Sequence, residues 1–290
     1  MANGSKILIL YHSGTGNTKF ACDVARMALE RAGDEVAMET YAKAGGVSLD
    51  AFDACCFASP VYEWAPARNV ERFVKAMPGL PGGYAFIVTS SAGAAGQATN
   101  LLARWLGAKG LTVLGDHNLI CPDSWGGTRR WSHVRDSEVP TLGSVLELVA
   151  FAEQMSVMIR DLRSGGHVDA PAYRVAPTGL FWASRLSRLA PGPGVKMGRK
   201  KVDVRACGEC GVCEKNCPAG AIRLEPYPVF DRSCIACWRC INTCPEDCIT
   251  TVLDSGRHYK GIPRRDELLH AAGLGPAPGR GKSSQPPDAD

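Results

Sequence analysis

The chain has 290 residues, 45% of them hydrophobic and 21% charged, with 33 Lys and Arg against 29 Asp and Glu for a formal net charge of +4. That length leaves room for two folded units, and the composition is that of a globular protein and not of a disordered or fibrous one. No apolar run approaches the roughly 18 residues of a membrane span, and the polar opening MANGSK reads as no secretory leader, so a cytoplasmic setting is expected.

Residues 6 to 12, KILILYH, form an apolar β run that stops at SGTGNT, Ser13 to Thr18, before the helical pattern KFACDVARMALERAG closing at Gly33. Strand, loop of hydroxyls and glycines, then helix is an anion-binding arrangement. The helix N-terminus and successive backbone N–H groups offer donors, Gly14 and Gly16 permit close approach, and Ser13, Thr15 and Thr18 add hydroxyls beside Asn17. The loop is neither a G-x-x-x-x-G-K-[ST] nor a G-x-G-x-x-G, so a small monophosphate suits it better than a nucleoside triphosphate or a dinucleotide.

Further strands with their loops are expected at 35 to 40, 51 to 64, 84 to 96 and 111 to 122, and helices at 67 to 77, 97 to 108 and 143 to 164. This alternation predicts a five-stranded, parallel, doubly wound α/β sheet with its ligand at the C-terminal strand edge. The connection from 121 to 143 is long, carries Trp125, Arg129, Arg130, Trp131, His133 and Arg135, and reads as a substrate lid, a docking patch or a covering loop. Residues 166 to 200 read as a linker with a short amphipathic segment, Leu180 to Leu189, that docks on a domain or a partner.

The run CGECGVCEKNCP places Cys207, Cys210, Cys213 and Cys217 before Pro218, and CIACWRCINTCP repeats it 27 residues on with Cys234, Cys237, Cys240, Cys244 and Pro245. On that offset Ala221 maps to Cys248 and Ile222 to Ile249, so the segment is an internal duplication. Structural zinc prefers C-x-x-C pairs a dozen or more residues apart, and a disulfide framework belongs to secreted chains. Three crowded thiols and a fourth set apart suit the corners of an iron–sulfur cube. Cys248 reads as a packing residue beside a cluster. Cys22 and Cys121 read as buried free thiols, and Cys55 and Cys56 as neighbours on opposite faces of a strand.

SGTGNT closely resembles the T/S-x-T-G-x-T phosphate loop of flavodoxins, and the duplicated cysteine run resembles the bacterial two-cluster ferredoxins. Over nearly its whole length outside the linker and tail, the chain is similar to flavodoxin–ferredoxin fusion proteins of anaerobes. The flavodoxin resemblance implies FMN, with Ser13, Gly14, Thr15, Gly16, Asn17 and Thr18 on its phosphate. It also implies two loops flanking the ring: Ser59, Pro60, Val61, Tyr62 and Trp64, and Ser90, Ser91, Ala92, Gly93 and Gly96. Tyr62 and Trp64 stand where a flavodoxin often places a stacking aromatic. SSAGAAG departs from small flavodoxins, whose second ring loop usually carries acidic residues and an aromatic.

The ferredoxin resemblance implies crossed ligation of two [4Fe–4S] clusters. One takes Cys207, Cys210, Cys213 and Cys244, the other Cys234, Cys237, Cys240 and Cys217. The expected organisation is a flavodoxin-like domain over 1 to 165, the linker over 166 to 200, a small α+β ferredoxin domain over 201 to 262 and a disordered tail over 263 to 290. Clusters and flavin phosphate, at about −2 each, would bring the loaded chain to about −2, which removes the case for nucleic acid. The implied function is electron transfer between FMN, the clusters and a redox partner protein. Alternatives are a flavin-dependent reductase of a small molecule and a redox-sensing module; no catalytic residue is assigned.

Overall fold

The computed structural model describes residues 4–125, 138–179, 181–182, 185–186, 199–253, 256, 258–259 and 261–275. The N-terminal unit contains β1 (Lys6–Tyr11), β2 (Glu35–Thr40), β3 (Ala54–Tyr62), the two-residue β4 (Ala65–Pro66), β5 (Tyr84–Ser91) and β6 (Thr112–Ile120). The sheet runs β2-β1-β3-β5-β6 with every neighbouring pair parallel. With β4 set aside, that is the flavodoxin-like strand order 2-1-3-4-5, which opens a ligand crevice at the C-terminal ends of β1 and β3.

The apolar runs are continuous because the sheet is covered on both faces. Ile7, Ile9, Cys56, Phe86 and Val88 point to one side, against α1 (Asn17–Arg31) and α4 (Leu142–Arg163). Leu8, Leu10, Cys55, Phe57 and Ile87 point to the other, against α2 (Arg68–Ala76) and α3 (Ala98–Gly107). At roughly 1.5–3 kcal/mol for each large side chain buried, these two layers dominate the stability of the unit. Cys55 and Cys56 lie in different layers, as strand alternation requires. By length and composition α4 resembles a membrane span, with a mean hydropathy of 1.5 in its most apolar window. Its Val145, Leu148, Ala152, Met155 and Ile159 nevertheless form the buried face that covers the sheet.

The stretch expected as strand and loop from 51 to 64 ends its parallel pairing at Tyr62 and doubles back. Glu63 and Trp64 take the left-handed conformation, φ 54° and 61°, and Val61 and Tyr62 pair antiparallel with Pro66 and Ala65. Two successive positive φ angles make the hairpin turn whose twist matches the strands. No glycine marks it, which is why composition hides it.

The C-terminal lobe comprises β7 (Lys200–Val202), α5 (Val212–Lys215), β8 (Ile222–Leu224), β9 (Pro228–Phe230), α6 (Arg239–Asn242) and β10 (Ile249–Thr251). Its duplication is visible in the backbone. α5 and α6, and β8 and β10, are each 27 residues apart, and left-handed residues recur at Glu209 and Ala236, Gly211 and Trp238, Gly220 and Asp247. Trp238 holds at φ 61° the position that glycine holds in the first run. A left-handed L-residue costs about 1–2 kcal/mol, so the surrounding loop must impose it.

Residues 166 to 179 lie along the first unit through Tyr173, whose hydroxyl donates to Asp116 Oδ1 at 3.0 Å, and through the Ala176 amide, which donates to Gln97 Oε1 at 3.2 Å. Trp182, expected to dock, is 53% exposed, and most of Leu180 to Leu189 lies outside the described residues. The stretch expected as tail contains α7 (Arg265–Ala271), whose Leu268 and Leu269, with Ala272 and Leu274 beyond, join the core layer of α1 and α4. Its amphipathic face made it foldable; the Gly- and Pro-rich residues after it masked that signal. Residues 276 to 290 lie outside the described residues.

Candidate cofactor sites

The Ser13–Thr18 loop closes on itself. Gly16, at φ 96°, caps α1, and Ser13 Oγ accepts from the Gly16 amide at 3.1 Å and the Lys19 amide at 3.2 Å. No acidic residue stands in the first turn of α1, so the helix dipole there is uncompensated from within the helix. The three expected loops do converge. Thr18 Oγ1 and Ser90 Oγ are 2.8 Å apart, joining the first loop to the third. The Gln97 amide donates to the Trp64 carbonyl at 3.1 Å, and a Cβ on Gly96 would fall 2.5 Å from that of Trp64, joining the second to the third.

Behind them Ser59 Oγ accepts from the Ala67 amide, Ser91 Oγ donates to the Gly93 carbonyl, and Asn118 Nδ2 donates to Ser91 Oγ. Pro60 is buried, Ala92 is half-buried, and Thr15 is buried within the first loop. Trp64 is 37% exposed at the rim. Tyr62 instead turns onto the phosphate loop, where its hydroxyl bonds the Gly14 amide and a Cβ on Gly14 would meet it at 2.4 Å.

His12, directly before the loop, is 4% exposed, and its Nε2 has no hydrogen-bond partner among the described residues. Burial, and secondarily the Arg239 guanidinium, lower its pKa to about 3. Its imidazole is therefore expected to keep the nitrogen shifts of a neutral ring from about pH 8 to about pH 5 by NMR. A midpoint within that range would show that His12 is hydrated or paired with an acid. The unfolded chain binds this proton below about pH 6.5, whereas the native chain does not until about pH 3. Stability is thus present above 6.5 and is lost as pH falls toward 3.

In the C-terminal lobe the eight thiols fall into two groups. One cavity is lined by Cys207, Cys210, Cys213 and Cys244, with Cys248 beside them. A second is lined by Cys217, Cys234, Cys237 and Cys240. Each therefore draws three thiols from one run and the fourth from the other. Among the described residues no three such side chains converge on a point as a single metal ion needs. Thiols spread around a cavity suit the corners of a polynuclear cluster. Desolvation pushes the Cys237 thiol up to about 12 and that of Cys240 higher still, so a thiolate there needs a cation to hold it. Lys200 Nζ donates to Cys234 Sγ at 3.1 Å, and the Ala221 amide to Cys217 Sγ at 3.2 Å. Cys248 Sγ lies 3.4 Å from Cys244 Sγ.

The two sites share an interface; packing of the lobe on the first unit was expected, but the residues that make it were not legible in the sequence. A Cβ on Gly14 would lie 2.9 Å from the Cys237 carbonyl oxygen; Arg239 Nη1 donates to the Ser13 carbonyl at 3.3 Å. The Tyr259 hydroxyl bonds Asn17 Oδ1, and Asn242 Nδ2 donates to the Ser124 carbonyl at 2.9 Å; within the first unit, Arg265 Nη2 of α7 pairs with Asp23 Oδ2 of α1 at 2.8 Å. Trp125 packs on the lobe, its ring centroid 6.3 Å from that of Trp238. The start of the long connection is thus a docking surface for the lobe. Its Arg129, Arg130, Trp131, His133 and Arg135 lie outside the described residues.

No family model matches the chain. It is similar to one component of an ion-translocating oxidoreductase complex from Methanosarcina acetivorans, 40% identical over 57 residues, which is 17% of this chain and 22% of that protein. The chain thus spans less than a quarter of that relative's length. Over its N-terminal half it resembles flavodoxins. One from the domain Archaea is 19% identical with a TM-score of 0.40, covering 53% of this chain and 99% of that one. Megasphaera elsdenii flavodoxin is 19% identical at 0.39, covering 51% and 98%. Rubredoxin oxygen:oxidoreductase from Desulfovibrio gigas is 18% identical at 0.42, covering 53% and 36%.

Proposed function

We propose that this chain is an electron-transfer oxidoreductase in which the Ser13–Thr18 loop and its two neighbours hold FMN and the two thiol cavities hold [4Fe–4S] clusters, with electrons exchanged with a redox partner protein. The observation that carries the reading is the adjacency of the sites: the loop of one lobe touches the backbone of Cys237, a cavity residue of the other. The donor set suits a phosphate monoester, since amides at a helix N-terminus stand with three hydroxyls and no acid in the first turn. When bound, FMN accepts or gives one or two electrons and the clusters one each. The protein's part is positional. Crossed thiol sets stitch the two runs together, and the Tyr259 and Asn242 contacts hold the lobe on the first unit. A lobe seated on the loop favours a carrier over a reductase with an open substrate pocket.

Protein purified without oxygen is expected to carry about eight iron per chain, as two four-iron clusters require, and one FMN without FAD. Iron and sulfide assay with chromatography of the released flavin reads this directly. Zinc in place of iron would remove the cluster half of the proposal, and FAD would remove the phosphate-loop half.

A further inference from the structure

The two lobes meet at a buried cation. Arg239, the first residue of α6, is 7% exposed, lines the second thiol cavity with Cys237 and Cys240, and reaches the phosphate loop through the bond from Nη1 to the Ser13 carbonyl. A guanidinium remains charged when buried, and its charge adds to the positive end of α1 instead of cancelling it. Next to it His12 is buried, its Nε2 without a partner among the described residues and its ring meeting that of Tyr62 edge-on at 6.1 Å. A loop of hydroxyls and amides that carries no basic side chain of its own from Ser13 to Thr18 is thus faced by an arginine from the other lobe.

We infer that Arg239 of the C-terminal lobe supplies the positive charge for the phosphate held on Ser13–Thr18, so that the flavin site is completed by the lobe that carries the thiol cavities. This rests on the FMN reading above and adds to it a residue from outside the flavodoxin-like unit. The phosphate monoester is a dianion, and a charged donor is worth more to it than a neutral one. Because the arginine arrives with the lobe, phosphate binding and lobe docking favour each other by the same factor.

The test compares FMN with riboflavin, which differ by the phosphate alone. Binding of each to the full, iron-loaded chain is followed by quenching of flavin fluorescence in the wild type, Arg239→Gln and Arg239→Lys. Arg239→Gln is expected to weaken FMN about 10- to 100-fold, the size of a lost charge-assisted hydrogen bond, and to leave riboflavin unchanged. Arg239→Lys, which keeps the charge, should recover part of the loss. If Arg239→Gln weakens both flavins equally, the residue is a structural prop and the inference falls. If iron is retained and neither flavin is affected, Arg239 serves the thiol cavity alone and the inference falls again. If the wild type binds neither flavin, the FMN reading itself fails.

Discussion

Cys244→Ala is expected to empty the cavity formed by Cys207, Cys210 and Cys213, and Cys217→Ala the one formed by Cys234, Cys237 and Cys240. Each variant should drop from about eight iron to about four per chain, the content of one cluster. The expectation follows from the grouping of thiols, since Cys244 lines the first cavity and Cys217 the second, each away from its own run. A cube held at three corners exchanges its fourth ligand for solvent and is labile, whereas the other cluster keeps all four. Spectroscopy that separates the clusters decides it: if Cys217→Ala spares the Cys234 set and empties the Cys207 set, ligation is uncrossed. Cys248→Ala should leave both clusters in place. Although Cys248 lines the first cavity near Cys244, its equivalent in the other run is Ala221.

Removing iron by chelation should unfold the C-terminal lobe while the parallel sheet stands. The apolar core of the lobe consists of Cys213, Ile222, Trp238, Ile241, Cys244, Cys248 and Ile249, three of them cysteines of one cavity. Its helices have four residues and its paired strands three, far short of what holds alone in water. Metal binding must then supply much of the folding free energy. The N-terminal sheet has two full layers of its own, and α7 belongs to one of them. By hydrogen exchange, amides from Lys200 to Thr251 should lose protection on iron removal while those of β1, β3 and β5 keep it. Retained protection in the lobe would mean that it folds without metal, and the ligand reading of its thiols would lose its energetic basis.

Features that are local or periodic were legible in the chain alone. The strand–loop–helix at Lys6 to Arg31, the apolar runs of β3 and β5 and the 27-residue repeat are each written in neighbouring residues, so the doubly wound order and the duplicated lobe were legible. The opposite placement of Cys55 and Cys56 follows from strand alternation and was legible too. Spacing does not write which thiols share a cavity: the crossed sets were implied by the ferredoxin resemblance, and the fold groups Cys217 and Cys244 the same way, across the lobe. Only the tertiary structure turned Tyr62 onto Gly14, through two left-handed residues that carry no glycine signal. It also seated Arg239 against Ser13, 226 residues away in the chain, and α7 against α1. A docking interface built from one guanidinium, two carboxamides and a tyrosine has no periodicity and no fixed spacing. Its residue types are ordinary, and their meaning comes from the partner surface that folding brings to them.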